Sequence, residues 1–224
     1  EAREFISDSL SVNQNEIYFT SGATESINTA IKGIAFSNVS KRKKINVVST
    51  EHKAVIESCL SIQNIGYEII FAPVDSKGLV QFEMLDVLLD ESTFLIAIML
   101  VNNETGVIQP IKQVAELAKS RGVIVFCDGT QAIGKVEVDL SDLEVDLFCF
   151  SAHKFYGPKG IGCLFFSNLI KKKTIFEPLM SGGGQENNIR SGTLNVPGII
   201  GMHTAFHIVK KEHLDIFINI LAIR

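Results

Sequence analysis

Residues 145–154 read Val-Asp-Leu-Phe-Cys-Phe-Ser-Ala-His-Lys, an apolar strand that ends on a serine and runs into a lysine. A glycine-rich stretch, residues 156–160, follows it. Desolvating an ammonium group is costly, so lysine seldom lies beside a buried strand end unless it is paired or neutral. A neutral lysine is a nucleophile toward aldehydes and can form a Schiff base. The alternative for Lys154 is a solvated side chain at a strand-to-loop junction, and other segments must decide between the two.

Apolar, β-branched segments recur along the chain and alternate with amphipathic segments. The predicted strands are residues 16–20, 45–49, 68–72, 95–101, 123–128, 147–151 and 163–167. The predicted helices are residues 23–36, 53–65, 81–89 and 111–121. Strands that alternate with helices predict an α/β fold, with a mainly parallel sheet covered by helices on both faces.

Composition narrows the class of protein. The chain has 224 residues, of which 46% are hydrophobic, enough for a substantial core. A net charge of −4 and an isoelectric point near 5.8 predict no binding to nucleic acid or to an anionic membrane. The four cysteines are widely spaced, which argues against zinc and suits a reducing compartment. With no apolar run long enough to cross a bilayer, we expect a cytoplasmic protein.

Polar residues gather where the predicted strands end, which is where ligands collect in open α/β sheets. Ser21-Gly22-Ala23-Thr24 joins a strand to a helix, and free N–H groups at a helix N-terminus form an anion site. Capping of the helix by Ser or Thr is the alternative interpretation.

Asp128 ends a hydrophobic strand, where an unpaired carboxylate would be costly to bury. The pyridinium nitrogen of pyridoxal phosphate would be a suitable cationic partner. Gln131, a few residues on, could hydrogen-bond the phenolic oxygen of the same ring. The alternative for Asp128 is a cap for the next helix.

Three further segments fit such a site and also have ordinary interpretations. His52 could stack on the ring or move protons, or it could cap a helix. Asn103 could reach the ring oxygen, or it could simply belong to a turn. The polar segments 182–186 and 190–193 could bring the backbone close to an anion, or form a flexible connector.

Taken together, the motifs resemble those of the cysteine desulfurases, in the NifS and IscS-like branch of the class V aminotransferase superfamily. The resemblance runs in order from about Glu16 to His203. The motifs that carry it are Ser-Gly-Ala-Thr-Glu-Ser at 21–26, Thr-Glu-His-Lys-Ala-Val at 50–55, Val-Asn-Asn-Glu-Thr-Gly at 101–106, Asp-Gly-Thr-Gln at 128–131, Ser-Ala-His-Lys-Phe-Tyr-Gly-Pro-Lys-Gly at 151–160 and Arg-Ser-Gly-Thr at 190–193.

The resemblance implies a pyridoxal 5'-phosphate enzyme with the large domain of the aspartate-aminotransferase fold (fold type I), a three-layer α/β/α structure with a mixed sheet. Lys154 would hold the cofactor as a Schiff base and Asp128 would face the pyridine nitrogen. The remaining implied roles are ring-oxygen binding by Gln131 and Asn103, stacking and catalysis by His52, phosphate binding by Ala23, Thr24, Ser151 and His153, and contact of Thr193 with the phosphate of the partner subunit in a homodimer.

The family's reaction converts L-cysteine to L-alanine and leaves the sulfur as a persulfide on an enzyme cysteine. The sulfur then passes to sulfur-acceptor or iron–sulfur scaffold proteins. No segment here matches the carboxyl-terminal domain that supplies this cysteine and the arginine for the substrate carboxylate. We therefore expect residues 1–203 to be the cofactor-binding large domain, and 204–224 to be the start of a helix leading to a small domain. Cysteine turnover by this chain alone is expected to be poor.

One further departure from the family pattern and several rival interpretations remain. Gly129 stands where many relatives have alanine, which predicts looser packing against the cofactor ring. None of Cys59, Cys127, Cys149 and Cys163 is expected to be catalytic, because each lies in a core-like segment. The rivals are a selenocysteine lyase, a kynureninase-like hydrolase, a small-substrate aminotransferase, and a non-catalytic scaffold that binds sulfur-acceptor proteins.

Overall fold

The computed structural model describes residues 1–38 and 41–222, with side chains described up to residue 212. The helices are α1 (Ala2–Ser9), α2 (Ala23–Phe36), α3 (Lys53–Leu60), α4 (Phe82–Leu88), α5 (Ile111–Ser120), α6 (Leu140–Leu143), α7 (Asn168–Lys171) and α8 (Val196–Ala222). The strands are β1 (Ile17–Thr20), β2 (Lys44–Val48), β3 (Glu68–Ala72), β4 (Thr93–Met99), β5 (Ile124–Asp128), β6 (Leu147–Ser151) and β7 (Gly162–Phe166).

Within the described residues the strands form one seven-stranded sheet in the order β1-β7-β6-β5-β4-β2-β3. Strands β3, β2, β4, β5 and β6 run parallel, and β7 is antiparallel to both of its neighbours, β6 and β1. The predicted mainly parallel mixed sheet is thus confirmed. Because these parallel strands end at the same edge, the turns after β2, β4, β5 and β6 meet there.

Helices cover both faces of the sheet, which gives the predicted three layers. On one face, α1, α4, α5 and the first turns of α8 pack on residues such as Ile98, Val125 and Phe150. On the other face, α2 and α3 pack on residues such as Val47, Phe126 and Leu164. Alternate residues of each central strand therefore point into different cores, as the two-residue period of a strand requires.

The carboxyl-terminal helix begins earlier than the sequence suggested. Helix α8 starts at Val196, so residue 204, predicted as the start of this helix, lies inside it. Met202, Phe206 and Val209 are buried in the same core as β5 and β6. The last residues of the predicted range, 223–224, lie outside the described part of the chain. No helix in residues 1–38 and 41–222 has the length and apolar character needed to cross a membrane.

Candidate active site

A cleft of about 560 Å³ lies at the carboxyl ends of the parallel strands. Nine of the ten predicted site residues line it, and the exception is Thr193, which is exposed outside it. The nine are Ala23, Thr24, His52, Asn103, Asp128, Gln131, Ser151, His153 and Lys154. Residues separated by up to about 130 positions in sequence thus share one cavity because the sheet brings their strand ends together.

One end of the cleft is formed by the turn between β1 and α2. Gly22 is the N-cap of α2 and provides no side-chain cap, so the first N–H groups of this helix have no capping side chain. The turn also passes very close to β7, since a Cβ at Gly162 would come within 2.5 Å of the Gly22 Cα. Capping of α2 by Ser21 or Thr24 is therefore not observed.

Beside this turn, the end of β6 presents three polar side chains. The buried Ser151 Oγ lies 2.9 Å from His153 Nδ1, which fixes the imidazole ring near the turn. A short 3-10 helix, Ala152–Phe155, places Lys154 on the wall of the cleft, where the residue is exposed to solvent. Burial lowers the pKa of His153, and the charges of Lys154 and Lys159 lower it further. This end of the cleft therefore combines hydroxyl and amide donors with ammonium groups, a set suited to an anion.

Asp128 lies at the floor of the cleft and is 5% exposed. Its Oδ1 accepts a hydrogen bond from the Thr130 N–H at 2.9 Å and lies 3.7 Å from the Cys149 Sγ. Burial raises the pKa of Asp128, against the effects of Thr130 and His52. The segment that follows is a series of turns rather than the predicted helix, so Asp128 caps no helix. Within the described residues it forms no ion pair with lysine or arginine.

His52 caps a helix, one of the roles considered for it, and its ring also lies on the cleft wall. Its Nδ1 accepts a hydrogen bond from the Ala54 N–H at 3.1 Å, so it caps α3. The same ring lines the cleft and acts electrostatically on Asp128. The exposed Asn103 also faces the cleft, and the Gln131 side-chain oxygen accepts a hydrogen bond from Lys135.

Residues 180–193, here called the strap, are fixed to the body by two ion pairs instead of forming a free connector. Glu186 pairs with Arg3 at 2.6 Å and also accepts the Phe19 N–H at 2.9 Å. Arg190 pairs with Glu25 at 2.6 Å. Burial acts to raise the pKa of Glu25, but hydrogen bonds from Arg190 and Ser21 lower it overall.

The backbone of the strap is unusual. Glu186, Asn187 and Asn188 all have positive φ angles, between 51° and 64°. Such angles are uncommon outside glycine, although asparagine tolerates them better than most residues. Further bonds close the strap on itself, including the one from the Gly192 N–H to the Gln185 Oε1 at 2.8 Å. Thr193 follows this ordered turn directly.

Gly129 does not loosen the floor of the cleft, contrary to the expectation from the sequence. A Cβ built at Gly129 would lie 1.7 Å from the Phe148 ring. Phe148 is fully buried, so its ring already occupies the space that an alanine methyl would take. The glycine and the aromatic ring form a matched pair beneath Asp128.

The cysteines and metal-binding side chains add no second centre in the described part of the chain. Cys59, Cys127, Cys149 and Cys163 are free and buried. Burial raises the pKa of each thiol, to about 12 for Cys59. Among residues 1–38 and 41–212 no group of three or more His, Cys, Asp or Glu side chains is placed to hold a metal ion.

Three residues of the site were not singled out from the sequence. Lys159 lines the cleft beside His153, and Thr130 lies next to Asp128 with a buried hydroxyl that has no partner. Glu51 lies just beneath the cleft and is 6% exposed. Its position three residues after the end of the apolar strand β2 was a usable signal, similar to the one that identified Asp128.

Comparison with known proteins places this geometry among related enzymes. Residues 1–220 match the family model described as aminotransferase class-V. The chain is 46% identical over 211 residues to a protein named cysteine desulfurase IscS from Methanosarcina thermophila, covering 94% of this chain and 51% of that one. It is 43% identical over 223 residues to a protein of the same name from Glaesserella parasuis, covering 100% and 54%.

Among solved structures, a NifS-like protein superposes with a TM-score of 0.90 at 44% identity, covering 96% of this chain and 58% of that one. The chain therefore spans about half the length of the curated relatives it matches.

Proposed function

The chain belongs to the aminotransferase class-V family, and from that premise we propose that its cleft binds pyridoxal 5'-phosphate as the cofactor-binding part of a cysteine desulfurase. The proposed reaction of the whole protein converts L-cysteine to L-alanine and passes the sulfur to an enzyme cysteine. The names of the relatives and the match of nine cleft residues to the motif pattern support this choice.

The observation that carries the proposal is the buried carboxylate of Asp128. A carboxylate that is 5% exposed and lacks a lysine or arginine partner among the described residues is costly unless a cation reaches it. The protonated ring nitrogen of pyridoxal phosphate is such a cation, and Asp128 would keep that nitrogen protonated.

The opposite end of the cleft fits the phosphate. The N-terminal amides of α2 at Ala23 and Thr24 would bind it, together with the hydroxyl of Ser151 and the ring of His153. Asn103 and the amide group of Gln131 would hydrogen-bond the ring oxygen. Gly162 permits this arrangement because any side chain there would displace the β1–α2 turn.

Lys154 and His52 are the proposed catalytic residues. The Lys154 amine would attach the cofactor covalently and, once released by the substrate, would move the proton at the substrate α carbon. When bound, the cofactor supplies an electron sink for bonds broken at that carbon. The His52 ring would cover the face of the cofactor, and its cap on α3 holds the ring in place.

The sulfur acceptor is proposed to lie outside the four cysteines of this sequence. Each of these thiols is buried with a raised pKa, whereas an attacking thiol must be an accessible thiolate. We also propose a homodimer in which Thr193 reaches the partner's phosphate, a large domain covering residues 1–203, and delivery of sulfur to iron–sulfur scaffold or other acceptor proteins. Four free thiols support a reducing, cytoplasmic location.

The covalent link provides the test. After incubation with pyridoxal phosphate and reduction with borohydride, peptide mass spectrometry should find the pyridoxyl mass on Lys154. The matched control is Lys135→Ala, because Lys135 is a nearby amine whose pKa is lowered by burial and by Lys154. Lys154→Ala should abolish labelling and Lys135→Ala should keep it. Labelling that moves with Lys135, or that is spread over surface lysines, would refute the proposal.

Substrate choice needs a second measurement. We expect a chain of the relatives' full length that contains these residues to release alanine from L-cysteine at a higher kcat/KM than from L-selenocysteine, and to transfer no amino group from L-aspartate. Residues 1–224 alone should bind the cofactor but release little alanine. A preference for selenocysteine or aspartate would favour the lyase or the aminotransferase, and an absence of both binding and turnover would favour the scaffold.

A further inference from the structure

Glu51 fills a gap in the sheet directly beneath the cleft. Strand β2 pairs with β4 as far as Val47 and Ala97, and the chain then turns away into the His52 loop. The Met99 N–H at the end of β4 is left without a strand partner on that side. Glu51 Oε1 accepts this N–H at 2.6 Å, so its carboxyl group takes the place of a missing strand carbonyl. It thereby fixes the loop that carries His52 to the end of β4.

The other oxygen of this carboxyl group has no partner. Glu51 Oε2 is buried and accepts no hydrogen bond. The titratable groups that act on Glu51 or feel its charge are Asp128 on β5, Cys127 on β5 and Cys59 on α3. None of these is a cation, and Glu51 forms no ion pair with the side chains of residues 1–38 and 41–212.

The surroundings thus do not compensate a negative charge on Glu51. Two buried carboxylates near one another cannot both ionise without a large cost, so a proton is retained on one of them. The negative charge is better stabilised on Asp128, because Asp128 accepts a hydrogen bond from the Thr130 N–H and faces His52. Burial and then Asp128 raise the pKa of Glu51 well above its usual value, in agreement with this assignment.

We infer that Glu51 is a positioning residue that stays protonated at neutral pH, holding the His52 loop to β4 and leaving the negative charge of the cleft floor on Asp128. The protonation state of Glu51 and its hydrogen bond with the Met99 N–H are properties of the chain without cofactor. Only their consequence, a full negative charge for the pyridine nitrogen and a fixed His52 ring, rests on the proposed function. If the chain failed to bind the cofactor, the protonation of Glu51 could still be tested on its own.

The proton can be observed directly. In protein labelled with 13C only at the glutamate side-chain carboxyl, Asp128 is silent and each glutamate carboxyl signal can be followed with pH. We expect one signal to stay at the position of a protonated acid at pH 7 and to disappear in Glu51→Gln. The matched control is Glu186→Gln, because Glu186 is equally buried but pairs with Arg3, and this variant should keep the signal. Wild-type protein without such a signal would overturn the inference, whatever the variants do.

Unfolding provides a second readout. A glutamate that is neutral when folded releases its proton on unfolding once the pH exceeds its unfolded value of about 4.5. Glu51 therefore makes the folded state of wild type lose stability as pH rises through that window, and Glu51→Gln lacks this contribution. The ratio of the unfolding equilibrium constants, wild type over variant, should rise tenfold per pH unit from about pH 4.5 to the native pKa. A ratio that stays constant, or falls, would contradict a protonated Glu51.

The hydrogen bond between Glu51 and the Met99 N–H is tested separately by amide hydrogen exchange at Met99. Glu51→Gln keeps an acceptor oxygen and should preserve the slow exchange of the Met99 N–H, whereas Glu51→Met should speed it at least tenfold. Leu100, whose N–H bonds to the Asp128 carbonyl, serves as the internal control and should change little. Equal protection of Met99 in both variants would show that the loop is held without Glu51.

Discussion

Buried or partly buried carboxyl groups in two regions of this molecule are neutralised in different ways. In the strap region, Glu186 and Glu25 each pair with an arginine of the same chain. At the cleft floor, Asp128 and Glu51 have no such partner among the described residues. The charges of Glu186 and Glu25 are therefore neutralised by arginines of the same chain. Asp128 and Glu51 need a proton or a ligand instead, which is typical of a functional site.

The direction of the pKa shifts follows the same division. Arg190 and Ser21 lower the pKa of Glu25 despite its burial, whereas burial raises the pKa of Asp128 and Glu51. Acid should therefore weaken the strap, because a lowered carboxylate pKa gives stability that is lost as pH falls through it. The cleft floor has the opposite sign and loses stability as pH rises.

Breaking the complete ion pair should have the largest effect on stability. Glu186→Ala removes the partner of Arg3 and leaves the buried Phe19 N–H without an acceptor. We expect the free energy of unfolding to fall by about 3 kcal/mol, as measured by urea denaturation. The control is Glu144→Ala, which breaks the exposed pair with Lys119 and should cost under about 1 kcal/mol. Equal costs would mean that the strap is not held by this pair.

A smaller loss is expected when the packing beneath Asp128 is altered. Gly129→Ala forces a methyl group into the Phe148 ring and should cost about 1–3 kcal/mol of unfolding free energy. The double variant with Phe148→Leu should cost less than the sum of the two single variants, since the smaller side chain makes room for the methyl group. Simple additivity in a double-mutant cycle would argue against the matched pair.

The smallest change, and one of opposite sign, is expected for Asp128→Asn. The amide keeps an acceptor for the Thr130 N–H and removes an uncompensated buried charge, so the chain without cofactor should gain about 1 kcal/mol at pH 7. Because the pKa of Asp128 is raised, this gain should be absent below about pH 3.8 and grow as pH rises from there to the native pKa. Thermal unfolding at several pH values would measure it. A loss comparable to that of Glu186→Ala would remove the distinction between the two regions.

The sheet and the cleft could be predicted from the sequence because their signals are local. An apolar segment that ends on Asp128 or Ser151 predicts both a buried strand and a polar residue at its end. Two of the predicted strand ranges, 68–72 and 147–151, coincide with β3 and β6, and the predicted helix 23–36 coincides with α2. The parallel arrangement then places the strand ends together.

The strap and the cleft floor depend on contacts between distant residues, which no local pattern reveals. The partners of the strap, Arg3 and Glu25, lie more than 160 positions away from Glu186 and Arg190. The fit of Phe148 against Gly129 likewise requires knowing that β5 and β6 are neighbours. The start of α8 at Val196 was missed for a related reason. Its first turns pack against core residues that are distant in sequence, and only the structure shows this contact.

The position of β1 has a consequence for the order of assembly on the ribosome. Strand β1 pairs only with β7 within the described sheet, and Ile17 meets Phe165. The nascent β1 must therefore wait for most of the described chain to be synthesised before its backbone finds a partner. The end of the cleft formed by the turn after β1 is for that reason expected to be among the last parts of the molecule to form.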